Sequence, residues 1–376
     1  MLKEGTHFMK GNHVIAEAAL IAGCKFFGAY PITPASPIAE RMSYRLFEEG
    51  GEFIQMEDEI ASMASIIGAS CGGVKAMTAT SGPGISLMLE NIGLAYMMEA
   101  PVVIVDVMRG GPSTGMPTLT SQGDINQVRW GSHGDYDVIA YCPSTVQECF
   151  DMTIKAFNAS EKYRVPAFIM ADQILGLMTS NVIVPPLKDI KIIDRETPED
   201  GDESYKTYDS SKLVPPMAIA GHGHHVLMTG LTHDERGYPA TNPDGQEKLM
   251  TRLKKKIAQN VEDIVELEEF MLDDAEMAVF AYGSEARSVR EAIKQAREKG
   301  LKVGMLRFMT IWPFPEKQVN EMSRKVKKIM VAEVNLGQLV HPIREYSSCE
   351  VVALTHPGGA LHTPAQVLER IQEEMK

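Results

Sequence analysis

The chain has 376 residues, 44% of them hydrophobic and 23% charged, with a net charge of −13. That composition excludes a disordered chain, and the negative field repels nucleic acid and anionic membrane surfaces. The five cysteines, Cys24, Cys71, Cys142, Cys149 and Cys349, form no CxxC pair, so a zinc site or iron-sulfur cluster belongs on another polypeptide. The N-terminal stretch MLKEGTHFMKGNHV lacks the apolar run of a signal peptide, and nothing reaches the ~18 apolar residues of a membrane helix. The cytoplasm is therefore the default expectation.

In chain order, HVIAEAALIAG predicts a helix stopped at Gly23, and KFFGAY at 25–30 predicts a strand. A helix near 37–48, a strand FIQM and a helix from Glu59 to about Ser70 follow. VKAMTAT is then a strand that ends in the turn SGPG. PVVIVDVM at 101–108 and PAFIMAD at 166–172 are the near-continuous apolar runs that a parallel sheet covered on both faces demands. The fold class is therefore α/β, with a doubly wound domain over residues 1–185. Residues 186–270 break the rhythm with proline pairs, the acidic run ETPEDGDES and the turn-rich THDERGYPATNPDG, and form a linker or excursion. Within it, 249–271 predicts one charged amphipathic helix serving as a solvated connector. From 271 to 376 the alternation resumes as MAVFAYG, LKVGMLRF, KKIMVAEVN and EVVALTH with intervening helices, giving a second, smaller α/β domain.

Several segments can carry chemistry. Three prolines in YPITPASP stiffen the turn from Tyr30 to Pro37. It lies outside the carboxyl end of a strand, where open α/β sheets bind ligands. Thr33 is then a ligand-facing residue, or Thr33 or Ser36 a helix N-cap. Glu57, Asp58 and Glu59 crowd a helix start, where acids complement the dipole. The small apolar run after Glu59 instead suggests a dry carboxylate with a raised pKa. The turn at Ser81, Gly82 and Pro83 can offer backbone N–H groups to a polar ring. Arg109 emerges after an apolar strand into a glycine-rich loop, as a fork for a carboxylate or as a brace for its own loop. His222, His224 and His225 lack ligand partners at a recognised spacing.

Taken together, YPITPAS, QMEDEIASM, TSGPGISLM and RGGPSTGMPT followed by QGD, with GLTHDERGYP and VAEVNLGQL further on, resemble the α subunits of 2-oxoacid:ferredoxin oxidoreductases. The wording is most similar to the 2-oxoglutarate type. The resemblance implies a thiamine-diphosphate (pyrimidine) binding domain followed by a domain like the transketolase C-terminal one. It implies that Glu59 hydrogen-bonds the pyrimidine ring, that Ser81, Gly82 and Pro83 contact the cofactor, and that Tyr30, Thr33 and Arg109 bind substrate. The chain contains no GDG motif, so the resemblance assigns the diphosphate, Mg²⁺ and an iron-sulfur cluster to a partner β subunit. It further implies γ and ferredoxin-like δ subunits, ferredoxin as electron acceptor and coenzyme A as co-substrate. Pyruvate or a branched-chain 2-oxoacid is the alternative substrate, and a non-catalytic assembly subunit is the alternative role.

Overall fold

The computed structural model describes residues 2–376. Its main sheet runs, in spatial order, Thr310–Trp312, Ile139–Tyr141, Ala167–Asp172, Val103–Gly110, Lys75–Thr80, Cys24–Ala29 and Glu52–Gln55. All neighbours are parallel except the first pair, which is antiparallel. The strands Lys75–Thr80, Val103–Gly110 and Ala167–Asp172 are buried along their whole length. That burial is why their sequences read as unbroken apolar runs rather than alternating ones. Helix Gly11–Ile21 packs on Val146–Tyr163, and Glu59–Cys71 packs on Gly82–Met97. Gly5–Lys10 and Thr179–Val184 form a separate antiparallel ribbon.

A second sheet has the order Leu267–Phe270, Val303–Phe308, Met277–Tyr282, Lys328–Glu333 and Glu350–Thr355. Only Leu267–Phe270 is antiparallel. The expected doubly wound domain and the smaller α/β domain are both present. They are joined more closely than the sequence suggests, because Thr310–Trp312 leaves the second sheet's neighbourhood to pair with Ile139–Tyr141 of the first.

The helix expected over 249–271 is not one helix. Pro243–Ala258 is helical, a short turn Val261–Ile264 follows, and Leu267–Phe270 is a strand. Asn260 Nδ2 donates to Lys256 O at 2.8 Å and closes the helix end. The ladder to Val303–Phe308 then outweighs the helical leaning of the Glu-rich stretch, as tertiary context commonly does. Nor is this helix a solvated connector. Arg252 and Lys256 are buried on the carboxylate of Glu99, with Lys256 Nζ 2.8 Å and Arg252 Nη1 3.1 Å from Oε2. Arg164, also buried, donates to the carbonyls of Glu99 and Pro215 at 3.2 and 2.8 Å. Burial alone would raise the Glu99 pKa, but Lys256, Arg164 and Arg252 outweigh it and hold the carboxyl well below the usual range. The cluster ties residues 186–270 to the main domain.

Candidate active site

Of the three acids at the start of helix Glu59–Cys71, only Glu59 is buried, at 5% exposure. Glu57 is exposed. Asp58 is the N-cap and accepts from Ala61 N at 2.8 Å, the usual use of a short acid at a helix start. Glu59 is directed to the neighbouring turn: a Cβ built on Gly84 would lie 2.9 Å from Glu59 Oε1 and 1.9 Å from Thr80 Oγ1. Glycine at 84 is what allows this approach. Burial, and then the charge of Asp58, raise the pKa of Glu59, opposed only by its own backbone N–H. Among the described residues no other group pairs with this carboxyl.

Ser81 is the N-cap of helix Gly82–Met97 but does not cap it with its side chain. Its buried hydroxyl donates instead to Val107 O at 2.9 Å, which pins the turn to the central strand. Gly82 faces the other way from Gly84's neighbours, since its Cβ would lie 2.7 Å from Asp124 Oδ1. Gly82 and Pro83 line a cleft of about 590 Å³ that also takes in Arg109, Asp124, Asn335 and Leu336. The cleft lies between the two sheets. Its walls are held together by the motif pair QGD and VNLGQ: Gln122 N donates to Val334 O at 2.8 Å, Val334 N to Gln122 Oε1 at 3.0 Å, and Asn335 Nδ2 to Gln122 O at 2.8 Å.

Arg109 sits at the end of the central strand Val103–Gly110 and is 7% exposed. Its Nη1 donates to Thr33 O at 2.6 Å and its Nη2 to Thr114 O at 3.1 Å, while Nε has no partner. The two readings of this residue therefore meet: it braces its own loop and the proline turn with two of its five N–H groups, and its Nε–H has no protein partner. Thr33 joins Arg109 through its carbonyl, its side chain being exposed, and Tyr30 is half-buried at the end of strand Cys24–Ala29. The structure thus gathers Thr33, Arg109, Gly82 and Pro83, whereas Glu59 adjoins the same turn at Gly84 without lining the cleft. The rings of His224 and His225 pack on Tyr205 and Tyr238.

Sequence reasoning missed Asp106 and Asp124. Asp106 is fully buried with neither oxygen paired to a donor, and Asp124 Oδ2 is likewise shut off. The two carboxyls lie against one another. Burial, and then the neighbouring Asp124, raise Asp106; burial pushes Asp124 up to about 7. Adjacent buried carboxylates cannot both ionise, so they hold a shared proton at neutral pH. The available signal was a lone charged residue inside the apolar run PVVIVDVM.

A buried carboxyl at a helix start beside a strand–turn–helix, in a parallel α/β fold with a second smaller α/β domain, fits the thiamine-diphosphate-binding class of α/β proteins. The family description "Pyruvate flavodoxin/ferredoxin oxidoreductase, thiamine diP-bdg" matches residues 17–251, and "Pyruvate:ferredoxin oxidoreductase core domain II" matches 275–367. The chain belongs to this 2-oxoacid:ferredoxin oxidoreductase family. It is 52% identical to the 2-oxoglutarate synthase subunit KorA of Methanocaldococcus jannaschii, over 96% of this chain and 98% of that one. The solved 2-oxoglutarate:ferredoxin oxidoreductase from Magnetococcus marinus, with 2-oxoglutarate, coenzyme A and succinyl-CoA bound, superposes with TM-score 0.94 at 38% identity. That alignment covers 99% of this chain and 66% of that one. A split-gene transketolase shares the fold, with TM-score 0.55 at 12% identity over 97% and 96% of the two chains. No helix among the described residues is long and apolar enough to cross a membrane.

Proposed function

We propose that this chain is the thiamine-pyrimidine subunit of a 2-oxoglutarate:ferredoxin oxidoreductase. With its partners it converts 2-oxoglutarate and coenzyme A to succinyl-CoA and CO₂ while reducing ferredoxin, reversibly. The observation that carries this reading is Glu59, a buried carboxyl without a partner, set against Gly84 in a chain of this family. A carboxyl whose protonated form is favoured by burial can share its proton with a ring nitrogen, so the site fits the thiamine pyrimidine. Thiamine diphosphate, when bound, supplies the electron sink for decarboxylation.

The chain's own residues do the rest. Burial favours the protonated form of the Glu59 carboxyl, and the missing side chain at Gly84 keeps that carboxyl within reach of the turn formed by Ser81, Gly82 and Pro83. Arg109, fixed by the carbonyls of Thr33 and Thr114, directs its charge and free Nε–H to the substrate's 1-carboxylate, with Tyr30 and Thr33 shaping that end of the pocket. Residues 1–185 form the pyrimidine-binding domain, 186–270 the excursion and 271–376 the transketolase C-terminal-like domain. The diphosphate, Mg²⁺ and iron-sulfur cluster lie on a β subunit; γ and δ subunits complete a cytoplasmic complex. The absence of a GDG motif and of clustered cysteines supports that division.

The test is methyl viologen reduction by the co-purified complex with 2-oxoglutarate, pyruvate and a branched-chain 2-oxoacid in turn. Turnover should be highest with 2-oxoglutarate, and Glu59→Gln should lower it by on the order of 10² or more. Wild-type turnover in Glu59→Gln, or full activity of the β chain alone, would leave this chain an assembly role only.

A further inference from the structure

Arg109 presents an unusual charge balance. It is buried, its Nε is unpartnered, and among the described residues no carboxylate forms an ion pair with it. Asp124 lines the same cleft and feels the charge of Arg109. Asp124 lies in turn against Asp106, which belongs to the same strand as Arg109, three residues before it. Gly82 on the adjoining helix and Asn335 and Gln338 across the cleft contribute no charge. Among the described residues no other titratable group acts on the two carboxyls. Cleft charge is therefore set by three groups, one fixed cation and two acids that hold a movable proton.

With one proton on the acids, their single negative charge offsets Arg109, and an arriving carboxylate meets a cleft with no net attraction. With two protons, Arg109 is left uncompensated and the same carboxylate is attracted. Binding of the anion and binding of the second proton must then favour each other equally, because linkage is reciprocal. We propose that the Asp106–Asp124 pair takes up a proton from solvent when a carboxylate substrate binds at Arg109, which makes these acids positioning residues that set affinity through the arginine. This rests on the reading of Arg109 as the substrate clamp. It adds that the clamp's strength is governed by pH, and that tighter binding of an anion is accompanied by buffering of the medium.

The probe is glutarate, an unreactive dicarboxylate, measured with the intact holoenzyme complex as a competitive inhibitor of 2-oxoglutarate. Its Ki should rise on the order of tenfold from about pH 6 to about pH 8, the change that one unit of pKa coupling produces. Calorimetry near neutral pH in buffers of different ionisation enthalpy should register uptake of up to about one proton per site. In Asp124→Asn the pH slope and the proton uptake should both vanish, with Ki at about pH 8 falling toward the wild-type value at about pH 6. Asp124→Ser should do the same and serves if the first variant fails to fold, whereas Asp106→Asn leaves the buried Asp124 to titrate and should keep a pH slope. A wild-type pH slope retained in both Asp124 variants, or no proton uptake by wild type, overturns the coupling. If that happens while Arg109→Gln still weakens glutarate, the clamp reading survives alone; if Arg109→Gln leaves Ki unchanged, clamp and coupling fall together.

Discussion

Two buried cationic regions of this molecule are built on opposite plans. Around Glu99, the side chains of Arg252 and Lys256 converge on one carboxylate, and Arg164 is absorbed largely by backbone carbonyls. At the cleft, Arg109 has carbonyls for two of its nitrogens, no ion pair and an orphaned Nε, while Glu59 nearby is an acid with no base. Both regions are desolvated, yet in the first the carboxylate is matched by its cations, with Arg164 Nη2 alone left without a partner. Buried polar groups that find each other hold a fold together; buried polar groups that do not are kept for something that arrives later.

The sharpest way to break this contrast is to remove one acid from each region. Glu99→Gln leaves buried cations uncompensated and should cost about 3–5 kcal/mol of stability, read as a lower thermal midpoint. Because the folded pKa of Glu99 lies below its unfolded value, this stabilisation is present at neutral pH and lost as pH falls into the strongly acid range. An unchanged midpoint would mean the cluster is not a tether. Gly84→Ala places a carbon against Thr80 and Glu59 and should cost about 1–3 kcal/mol of stability. Turnover should fall with it, and an active, stable Gly84→Ala enzyme would refute the packing argument. Arg109→Lys keeps the charge but loses the fork, so KM for the 2-oxoacid should rise on the order of tenfold, with kcat moving less. The smallest effect sharpens the contrast most. The folded pKa of Glu59 is raised, so its carboxylate costs stability at neutral pH, and Glu59→Gln should raise the thermal midpoint by less than about 1 kcal/mol equivalent. Opposite signs for Glu59→Gln and Glu99→Gln are the expected signature; a loss of stability in both would erase the distinction.

Much of the architecture was legible because burial on both faces leaves a mark in the residues themselves. Val103–Gly110 and Ala167–Asp172 have no polar face and so show no alternation. Glu59 could be picked from its acidic neighbours by the small apolar residues that follow it. The strand Thr310–Trp312 was not legible, since three residues carry no period and its partner lies far away in the chain. Nor was the end of the helix at Ala258, where an edge-strand ladder decided the outcome. The Arg109–Thr33 bond and the Asp106–Asp124 contact share that limit: each joins residues that only the folded chain brings together.

The strand Thr310–Trp312 also determines how the cleft can work. Because it continues the first sheet while its neighbours in sequence build the second, swinging the two halves apart would rupture main-chain hydrogen bonds rather than merely slide one surface over another. The gap between them is accordingly a fixed gauge. Its rim takes in the glycine-rich segment after Arg109 and the exposed Leu336.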